Sequence, residues 1–254
     1  MQTEWAVVTG SSSGLGVAYA DRLAQQGANL ILAARRAELL EEVAADLRHR
    51  HGVRVETRPV DLALEPDRTA FADELSATSV HTLVNNAGFG TVGKLAELRR
   101  DRIAEEVALN AGAVTELAHA VLPGMVARRR GAIINVASTA AFQAMSTMAV
   151  YSATKAYVLQ FSVGLWAELH GSGVRVLAVC PGPTATRFFA YAGDDAMLKQ
   201  RRQPEQVVDT TFRALEAHKP FVVDGARNRA VAFATRFAPR GVAARIAPTF
   251  MKLT

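Results

Sequence analysis

Short apolar runs rich in Val, Ile and Leu alternate along the chain with longer segments in which apolar residues recur with helical spacing. The runs have the length of buried strands, and the longer segments have the period of amphipathic helices. Regular alternation of the two is typical of successive βαβ units, in which helices cover both faces of a parallel sheet. We therefore predict an α/β fold built on a doubly wound parallel sheet.

Seven strands are predicted from the apolar runs, over residues 5–9, 29–34, 54–60, 82–85, 132–136, 175–180 and 220–223. Six helices are predicted from the periodic segments, over residues 15–26, 37–49, 66–75, 102–128, 149–170 and 204–217. Gly27 follows the first of these helices, and glycine is common just past a helix C-terminus.

The size and composition of the chain indicate one domain. It has 254 residues, of which 50% are hydrophobic and 21% charged, which is typical of a folded protein with a sizeable core. Chains of about 250 residues commonly form one α/β domain, and no linker rich in Pro, Gly or Ser divides this one. We predict a domain over residues 1–225 and an extension over residues 226–254 that packs on it.

The net charge of +5 is concentrated in the extension, which holds six basic residues and no acidic ones. Residues 1–225 are left with a net charge of −1, so we expect no nucleic-acid partner. Because apolar residues alternate with the basic ones, an amphipathic segment on an anionic membrane surface is the alternative to packing on the domain. These apolar residues are Val231, Phe233, Phe237, Val242, Ile246, Phe250 and Met251.

Cysteine and histidine usage argues against a disulfide scaffold and a metal site. Cys180 is the only cysteine, and the histidines show no metal-ligand spacing. Cys180 ends an apolar run, so we expect a small core residue rather than a nucleophile. The N-terminal segment does not resemble a secretory signal, and no uncharged run reaches the roughly 18 residues of a membrane span. We expect a cytoplasmic protein.

A glycine-rich turn, TGSSSGLG at residues 9–16, follows the first predicted strand and leads directly into the first predicted helix. Glycines allow a tight turn and close approach of the backbone to a ligand. The free N–H groups and the positive dipole end of the helix attract a pyrophosphate. In this position, the turn predicts a dinucleotide site.

The spacing TGxxxGxG resembles that of the short-chain dehydrogenase/reductase family. Further features match in the family's order: NNAG at residues 85–88, Asn110, Ser138 with YSATK at residues 151–155, and PG at residues 181–182. The resemblance implies a Rossmann-type fold with helices on both faces of the sheet, and a bound dinucleotide. The implied cofactor-binding residues are Gly10, Ser12, Ser13, Gly14, Leu15, Gly16, Arg35, Asp61, Leu62, Asn86, Ala87, Gly88, Asn110, Tyr151, Lys155, Pro181, Gly182 and Thr184.

The end of the second predicted strand bears on the choice of nicotinamide cofactor. An NAD site commonly presents Asp or Glu there, whereas Arg accommodates the 2′-phosphate of NADP. The strand ends at Ala34 and is followed by Arg35 and Arg36, and Arg35 can bind a phosphate through a bidentate, charge-assisted fork. NADP(H) is therefore favoured over NAD(H), with two solvated arginines as the alternative interpretation.

Tyr151 and Lys155 are four residues apart on a predicted helix, so they project from one face. Tyrosine has an ordinary pKa of about 10, and we expect the Lys155 ammonium and an oxidised nicotinamide to lower the pKa of Tyr151. The resemblance implies that Ser138 hydrogen-bonds the substrate oxygen and that Asn110 holds a water linking Lys155 to solvent. The implied reaction is hydride transfer to a carbonyl carbon with Tyr151 as general acid, or the reverse oxidation.

Ligands of open α/β sheets bind beyond the carboxyl ends of the strands, which places the segments after Gly88, Ser138 and Gly182 around the substrate. The candidate pocket residues are Phe89, Phe142, Gln143, Phe188 and Phe189. Because these segments are mostly apolar, we expect a hydrophobic ketone or secondary alcohol, as a carbonyl reductase or an alcohol dehydrogenase would use. Arg187 is the one candidate for binding a substrate carboxylate, and Phe188 and Phe189 packing in the core is the alternative.

Two other functions fit the same motifs: a dehydrogenase of 3-hydroxy acids, and an NADP-binding sensor that uses the fold without chemistry. For assembly, we expect a two-fold homodimer through the helices that carry Asn110 and Tyr151, as the resemblance also implies. The residues expected to face away from the sheet are Ala113, Leu117, Ala120, Val158, Phe161 and Leu165. The long extension is expected to obstruct or remodel any tetramer contact.

Overall fold

Seven parallel strands form one sheet in the computed structural model, which describes residues 4–185 and 201–235 together with Phe237, Gly241 and Ala244. The strands are β1 (Trp5–Thr9), β2 (Asn29–Ala34), β3 (Val55–Pro59), β4 (Val80–Asn85), β5 (Gly131–Val136), β6 (Val174–Cys180) and β7 (Phe221–Val223). Their order is β3-β2-β1-β4-β5-β6-β7, and every neighbouring pair is parallel. This is the predicted doubly wound, Rossmann-type sheet.

Eight α-helices lie within the described residues. They are α1 (Leu15–Gln25), α2 (Ala37–His51), α3 (Glu65–Ala77), α4 (Arg100–Val107), α5 (Val114–Ala127), α6 (Ala149–Glu168), α7 (Pro204–Glu216) and α8 (Ala226–Ala234). A π-helical turn at Ala108–Ala113 joins α4 to α5, and a 3-10 turn at Thr139–Phe142 follows β5.

Successive strand side chains face two different cores. On β1, Ala6 and Val8 face a core that α1, α2 and α7 close, whereas Val7 faces a core that α3, α5 and α6 close. Both faces of the sheet are therefore shielded from water, which is why the strands read as continuous apolar runs rather than as alternating ones.

A buried polar network ties the sheet to α5 and α6. Asn85 Nδ2 donates to Asn135 Oδ1 at 2.9 Å and to the carbonyl oxygen of Val114 at 3.2 Å. Asn135 Nδ2 donates to Ser162 Oγ at 2.9 Å, and the Ser162 hydroxyl donates to the carbonyl oxygen of Val158 at 2.6 Å. The network fixes the register of the helices on either side of the candidate site.

The helix predicted over residues 102–128 is present, but it is not regular throughout. Helical structure runs from Arg100 to Ala127, with the π turn between α4 and α5, and the prediction missed that turn. A π turn adds one residue to a helical turn without changing the apolar character of the segment. A period argument therefore cannot detect it.

The prediction also missed α8, which opens the C-terminal extension. Ala232 of α8 is buried in a third apolar cluster with Val223, so the start of the extension contacts the domain. Val231, Phe233 and Phe237 are 52%, 60% and 75% exposed. The remaining apolar residues of the extension lie outside the described residues; they are Val242, Ile246, Phe250 and Met251.

The predicted outward face of α5 and α6 needs correction. Four of the six residues expected there lie on the sides of the helices that face the sheet and are buried in the cores: Ala113, Leu117, Val158 and Leu165. Ala120 and Phe161 are half-buried. The outward surface instead carries Tyr157, whose side chain is 44% exposed and whose ring stacks on Phe161 at 6.0 Å.

Cys180 is fully buried at the end of β6, and burial raises the pKa of its thiol to about 12. Its predicted place in the core is confirmed. Within residues 4–185 and 201–235, no three His, Cys, Asp or Glu side chains group closely enough to hold a metal ion. None of the described helices has the length and hydrophobicity needed to span a bilayer.

Candidate active site

The glycine loop lies at the carboxyl end of β1, where the strand order reverses between β2 and β4. Such a switch point is where open α/β sheets bind their ligands. Gly10 and Gly14 have φ angles of 65° and 58°, which glycine adopts without strain. A Cβ on Gly16 would lie 2.3 Å from the carbonyl oxygen of Gly10, so only glycine lets α1 begin this close to the loop.

The start of α1 is suited to an anion. Among the described residues, no side chain caps α1, and its first turn contains no acidic residue. The first N–H groups of a helix lack partners within it and carry the positive end of its dipole. Ser12 and Ser13 are half-buried beside them. The loop and the helix start therefore fit the pyrophosphate of a dinucleotide.

Thr9 and Asn86 fasten the glycine loop to the segment after β4. Thr9 Oγ1 accepts hydrogen bonds from the backbone N–H groups of Asn86 and Ala87, both at 3.0 Å. Asn86 Nδ2 donates to the carbonyl oxygens of Thr9 at 2.9 Å and Gly10 at 3.2 Å. Two predicted cofactor-binding segments, the loop and residues 86–88, thus form one unit.

Two arginines follow β2, and one of them contacts the glycine loop. Arg36 Nη2 donates to Ser12 Oγ at 3.2 Å, and Arg35 Nη1 lies 3.9 Å from Asp61 Oδ2. The Arg35 side chain is 63% exposed, so its guanidinium is open to a ligand. Arg36 with Ser12, and the exposed guanidinium of Arg35, offer the charge-assisted donors that a phosphate monoester needs. Leu62, another predicted cofactor contact, has its side chain in the second core.

Tyr151, Lys155 and Ser138 come together at the carboxyl end of β5. Tyr151 and Lys155 lie one turn apart on α6 and are only 8% and 5% exposed. A side-chain hydrogen bond links Tyr151 to Ser138. Lys155 Nζ donates to the carbonyl oxygen of Val136 at 2.8 Å and lies 5.8 Å from the centroid of the Tyr151 ring.

Burial is the largest cause of the pKa shifts of Tyr151 and Lys155. Burial and the charge of Glu106 raise the pKa of Tyr151 to about 12, against the hydrogen bond with Ser138. Burial also lowers the pKa of Lys155 to about 8, against the charges of Cys180 and Glu106. The expected lowering of the Tyr151 pKa by Lys155 is not found among the protein groups that act on Tyr151, and the contribution of an oxidised nicotinamide stays a prediction. The protein keeps the proton on Tyr151 at neutral pH, as a proton donor requires.

Asn110 lies in the π turn and is fully buried. Its Nδ2 donates to the carbonyl oxygen of Phe89 at 2.8 Å and to Thr154 Oγ1 at 3.1 Å, and its Oδ1 accepts from the Phe89 N–H at 3.1 Å. A Cβ on Gly88 would lie 2.9 Å from Asn110 Oδ1 and 3.4 Å from Lys155 Nζ. Asn110 therefore fixes the segment after β4 beside Lys155, and its side-chain amide is engaged with protein partners.

Apolar side chains surround Tyr151. Ala140 and Met148 are buried with it, and Val92 and Met145 pack against the three. The wall beside the Tyr151 ring is therefore apolar, which suits a hydrophobic substrate.

The predicted pocket residues differ in their surroundings. Phe89 lies on the guanidinium of Arg102, whose Cζ is 4.3 Å from the ring centroid. Phe142 packs on Phe221 with ring centroids 6.0 Å apart, in the third apolar cluster, so it belongs to the core as well. Gln143 is half-buried just after the 3-10 turn.

The segment after β6 continues the site. A Cβ on Gly182 would lie 2.2 Å from Asn228 Nδ2, so α8 packs directly on this segment after Pro181. Thr184 Oγ1 donates to the carbonyl oxygen of Gly182 at 3.0 Å. Three predicted positions lie outside the described residues: Arg187, Phe188 and Phe189.

Sequence reasoning missed Glu106, which is fully buried near Tyr151 and Lys155. Glu106 precedes Asn110 by four residues and therefore shares its helix face. That spacing was a usable signal. It was outweighed because acidic residues on helices usually face solvent.

Comparisons with known proteins agree with this geometry. A family model described as short chain dehydrogenase matches residues 4–196. The very-long-chain 3-oxoacyl-CoA reductase of Bos taurus is 34% identical over 190 residues, which cover 72% of this chain and 60% of the cattle protein. This chain thus spans less than two thirds of that relative.

Two solved structures match almost the whole chain. A short-chain dehydrogenase from Sphingobium yanoikuyae in complex with NADPH is 34% identical, with a TM-score of 0.86 and 94% of each chain covered. The bulky-bulky ketone specific alcohol dehydrogenase from Comamonas testosteroni is 30% identical, with a TM-score of 0.80 and 92% of each chain covered.

Proposed function

This chain belongs to the short-chain dehydrogenase family, and on that premise we propose that it is an NADP(H)-dependent oxidoreductase. The proposed reaction interconverts a bulky hydrophobic ketone and its secondary alcohol. One observation carries the proposal: half-buried Ser138 and buried Tyr151 and Lys155 are assembled at the carboxyl end of the sheet, where apolar side chains surround Tyr151.

The roles of the three residues follow from their contacts. Tyr151 keeps its proton at neutral pH and is the general acid that protonates the substrate oxygen in the reductive direction. Ser138 bonds to Tyr151, so both can reach one carbonyl oxygen, and Ser138 stabilises the negative charge that develops there. Lys155 places a cationic group close to Tyr151 and favours its ionisation once the proton has left.

NADPH supplies the hydride when bound. The glycine loop, with Gly10, Gly14 and Gly16, would hold its pyrophosphate, while Arg35 and Arg36 would hold its 2′-phosphate. The NADPH complex of the Sphingobium yanoikuyae relative supports this choice of cofactor. No carboxylate ends β2, where an NAD site commonly presents one.

The substrate class is supported by the apolar wall of Val92, Met145 and Met148 around Tyr151. Two relatives point the same way: one is described as specific for bulky-bulky ketones, and another reduces very-long-chain 3-oxoacyl-CoA. A hydrophobic ketone, including the 3-oxo group of a long acyl chain, therefore fits better than a small charged acid.

The direct test is to offer the protein a panel of carbonyl compounds with NADPH and to measure turnover as the loss of NADPH absorbance. The panel contains aromatic and aliphatic ketones of increasing size, a 3-oxoacyl thioester and a small 3-oxo acid. We expect kcat/KM to rise with apolar bulk and the small acid to be poor. Preference for the small acid would favour a dehydrogenase of 3-hydroxy acids, and binding of NADPH without any turnover would favour a non-catalytic sensor.

We also propose a two-fold homodimer through the outward faces of α5 and α6. The Tyr157 hydroxyl bonds to Thr115 Oγ1 at 2.8 Å, and the Tyr157 ring stacks on Phe161. Beside them, Gly164 is exposed, and a Cβ on it would meet no atom within 4 Å. The proposed interface is this half-apolar surface, because most of the residues predicted for it from the sequence are buried.

A further inference from the structure

Glu106 is a buried carboxylate that the proposed chemistry leaves without a role. It lies on α4 and is fully buried, and its Oε1 has no hydrogen-bond partner within the part of the chain that the structure describes. Burial raises its pKa, against hydrogen bonds from Thr91 and the charges of Lys155 and Arg102. A buried and incompletely satisfied carboxylate costs stability. Such a group suggests a functional reason for its presence.

Glu106 holds the segment that lies on Tyr151. Its Oε2 accepts hydrogen bonds from the Thr91 N–H at 3.0 Å and from Thr91 Oγ1 at 2.5 Å. Asn110, one turn along the same helical face, holds Phe89 of the same segment. Between these two attachments, a Cβ on Gly90 would lie 2.9 Å from Cδ2 of Tyr151.

The charge of Glu106 acts on the catalytic pair. It raises the pKa of Tyr151 and that of Lys155, both on α6. The other charged or titratable groups facing this corner are Arg102 on α4 and Cys180 at the end of β6. Arg102 forms an ion pair with Glu105 and lies over the Phe89 ring. No ion pair to Glu106 occurs among the described residues. Its charge is therefore not neutralised by them and acts on Tyr151 and Lys155.

We propose that Glu106 is a positioning residue for the reaction: it holds Thr91, and with it the Gly90 segment, against Tyr151, and it places a buried carboxylate near the catalytic pair. A tyrosine that retains its proton at higher pH remains a general acid there. Glu106 therefore biases the site toward carbonyl reduction. This inference rests on the proposed oxidoreductase function.

The test separates the charge of Glu106 from its contacts. Glu106→Gln removes the charge and keeps the shape, whereas Thr91→Val keeps the charge and removes one contact. Glu105→Gln is the matched control, because it removes the same charge one residue away, where Glu105 is partly solvated. Reduction with NADPH is measured for each variant from pH 6 upward through the alkaline loss of activity.

Loss of the negative charge lowers the pKa of the pair, so Glu106→Gln should move the alkaline loss of reduction to lower pH by about one unit. Glu105→Gln and Thr91→Val should keep the wild-type inflection, and Thr91→Val should raise KM. Glu106→Asp keeps the charge on a shorter side chain, so it should show the wild-type pH of the alkaline inflection together with a raised KM. An inflection that Glu106→Gln leaves unchanged would overturn the proposal.

A second readout does not depend on turnover. The tyrosinate absorbance of each protein is titrated with pH, and the same titration of its Tyr151→Phe counterpart is subtracted. The Tyr151 ionisation should shift downward in Glu106→Gln. If wild type reduces no carbonyl, the proposed function fails while this titration still decides the inference. An unshifted titration would contradict the role of Glu106 even in an active enzyme.

Discussion

At the residue scale, burial and charge oppose each other at the catalytic pair. Burial moves the pKa of Tyr151 up to about 12 and that of Lys155 down to about 8, so each group favours its neutral form more than it would in water. The YxxxK spacing predicts that the two residues share a helix face. It cannot predict how deeply they are buried, which decides the direction of both shifts.

The pH dependence of stability tests the burial of Lys155. In the unfolded chain its pKa is near 10.5, and in the folded chain it is about 8, so the unfolded state binds the extra proton between these values. The charge therefore destabilises the fold below pH 8, and this penalty is lost as pH rises to about 10.5. One pKa unit is worth about 1.4 kcal/mol, so the penalty is about 3 kcal/mol.

Lys155→Met removes this titration. Denaturant unfolding without added nucleotide should show the stability of wild type rising, relative to Lys155→Met, by about 3 kcal/mol from pH 7 to pH 10.5. If the free energies of unfolding of the two proteins changed in parallel with pH, burial would not lower the pKa of Lys155, and the prediction would be wrong.

Arg35 and Arg36 test the choice of cofactor. Their guanidinium groups at the end of β2 should bind the 2′-phosphate, so wild type should bind NADPH much more tightly than NADH. Arg35→Ala should narrow this preference, and Arg35→Ala with Arg36→Ala should narrow it further. Fluorescence titration with both nucleotides measures the ratio. Equal affinities in wild type would refute the assignment.

At the element scale, period and composition predict which elements form but not their irregularities. All seven strands and six helical segments arise from apolar runs and helical spacing, because these record which faces are buried. The hydrophobic pattern does not reveal the π turn that carries Asn110, since the residues of this turn are as apolar as those of a regular helical turn would be. The helix α8 was missed because basic and apolar residues are interleaved along it without a clean period.

The polar network between the sheet and the two site helices is a second feature of this scale. Asn135→Ala leaves one N–H of the buried Asn85 amide and the acceptor side of the Ser162 hydroxyl without partners, while the bonds of both groups to backbone carbonyl oxygens remain. The free energy of unfolding should fall by about 1–3 kcal/mol, the cost of a buried unsatisfied group. Ser162→Ala removes the outer partner alone and should cost less. Chemical denaturation of the two variants and of wild type measures the difference, and equal losses would contradict the network.

At the scale of the whole molecule, the sequence predicts the sheet and the composition of the candidate site but not the surfaces. The glycine loop, Ser138, Tyr151 and Lys155 were recognisable because a specific spacing marks them. The outward face of α5 and α6 was not, since apolar residues line both sides of each helix and only three-dimensional packing shows which side meets the sheet.

The prediction for the whole molecule is a two-fold homodimer through the outward faces of α5 and α6. Gly164→Arg places a long side chain on the exposed outward face of α6, where an added Cβ meets no atom of another element within 4 Å, so it should disrupt a dimer and leave the fold intact. Ala45→Arg, on the exposed side of α2, is the control. Sedimentation at micromolar concentration should give a dimer for wild type and Ala45→Arg, and a monomer for Gly164→Arg. A monomeric wild type would refute this assembly.

The central claim is that Tyr151 donates the proton in a hydride-transfer reaction, and Tyr151→Phe tests it most directly. The variant removes the hydroxyl that bonds to Ser138 and keeps the ring between Met148 and the Gly90 segment. Single-turnover rates with the best ketone of the panel are measured together with NADPH affinity. The account predicts a rate loss of about 100-fold or more, the usual worth of general acid catalysis, with NADPH affinity nearly unchanged. A variant that kept more than about a tenth of the wild-type rate would contradict it.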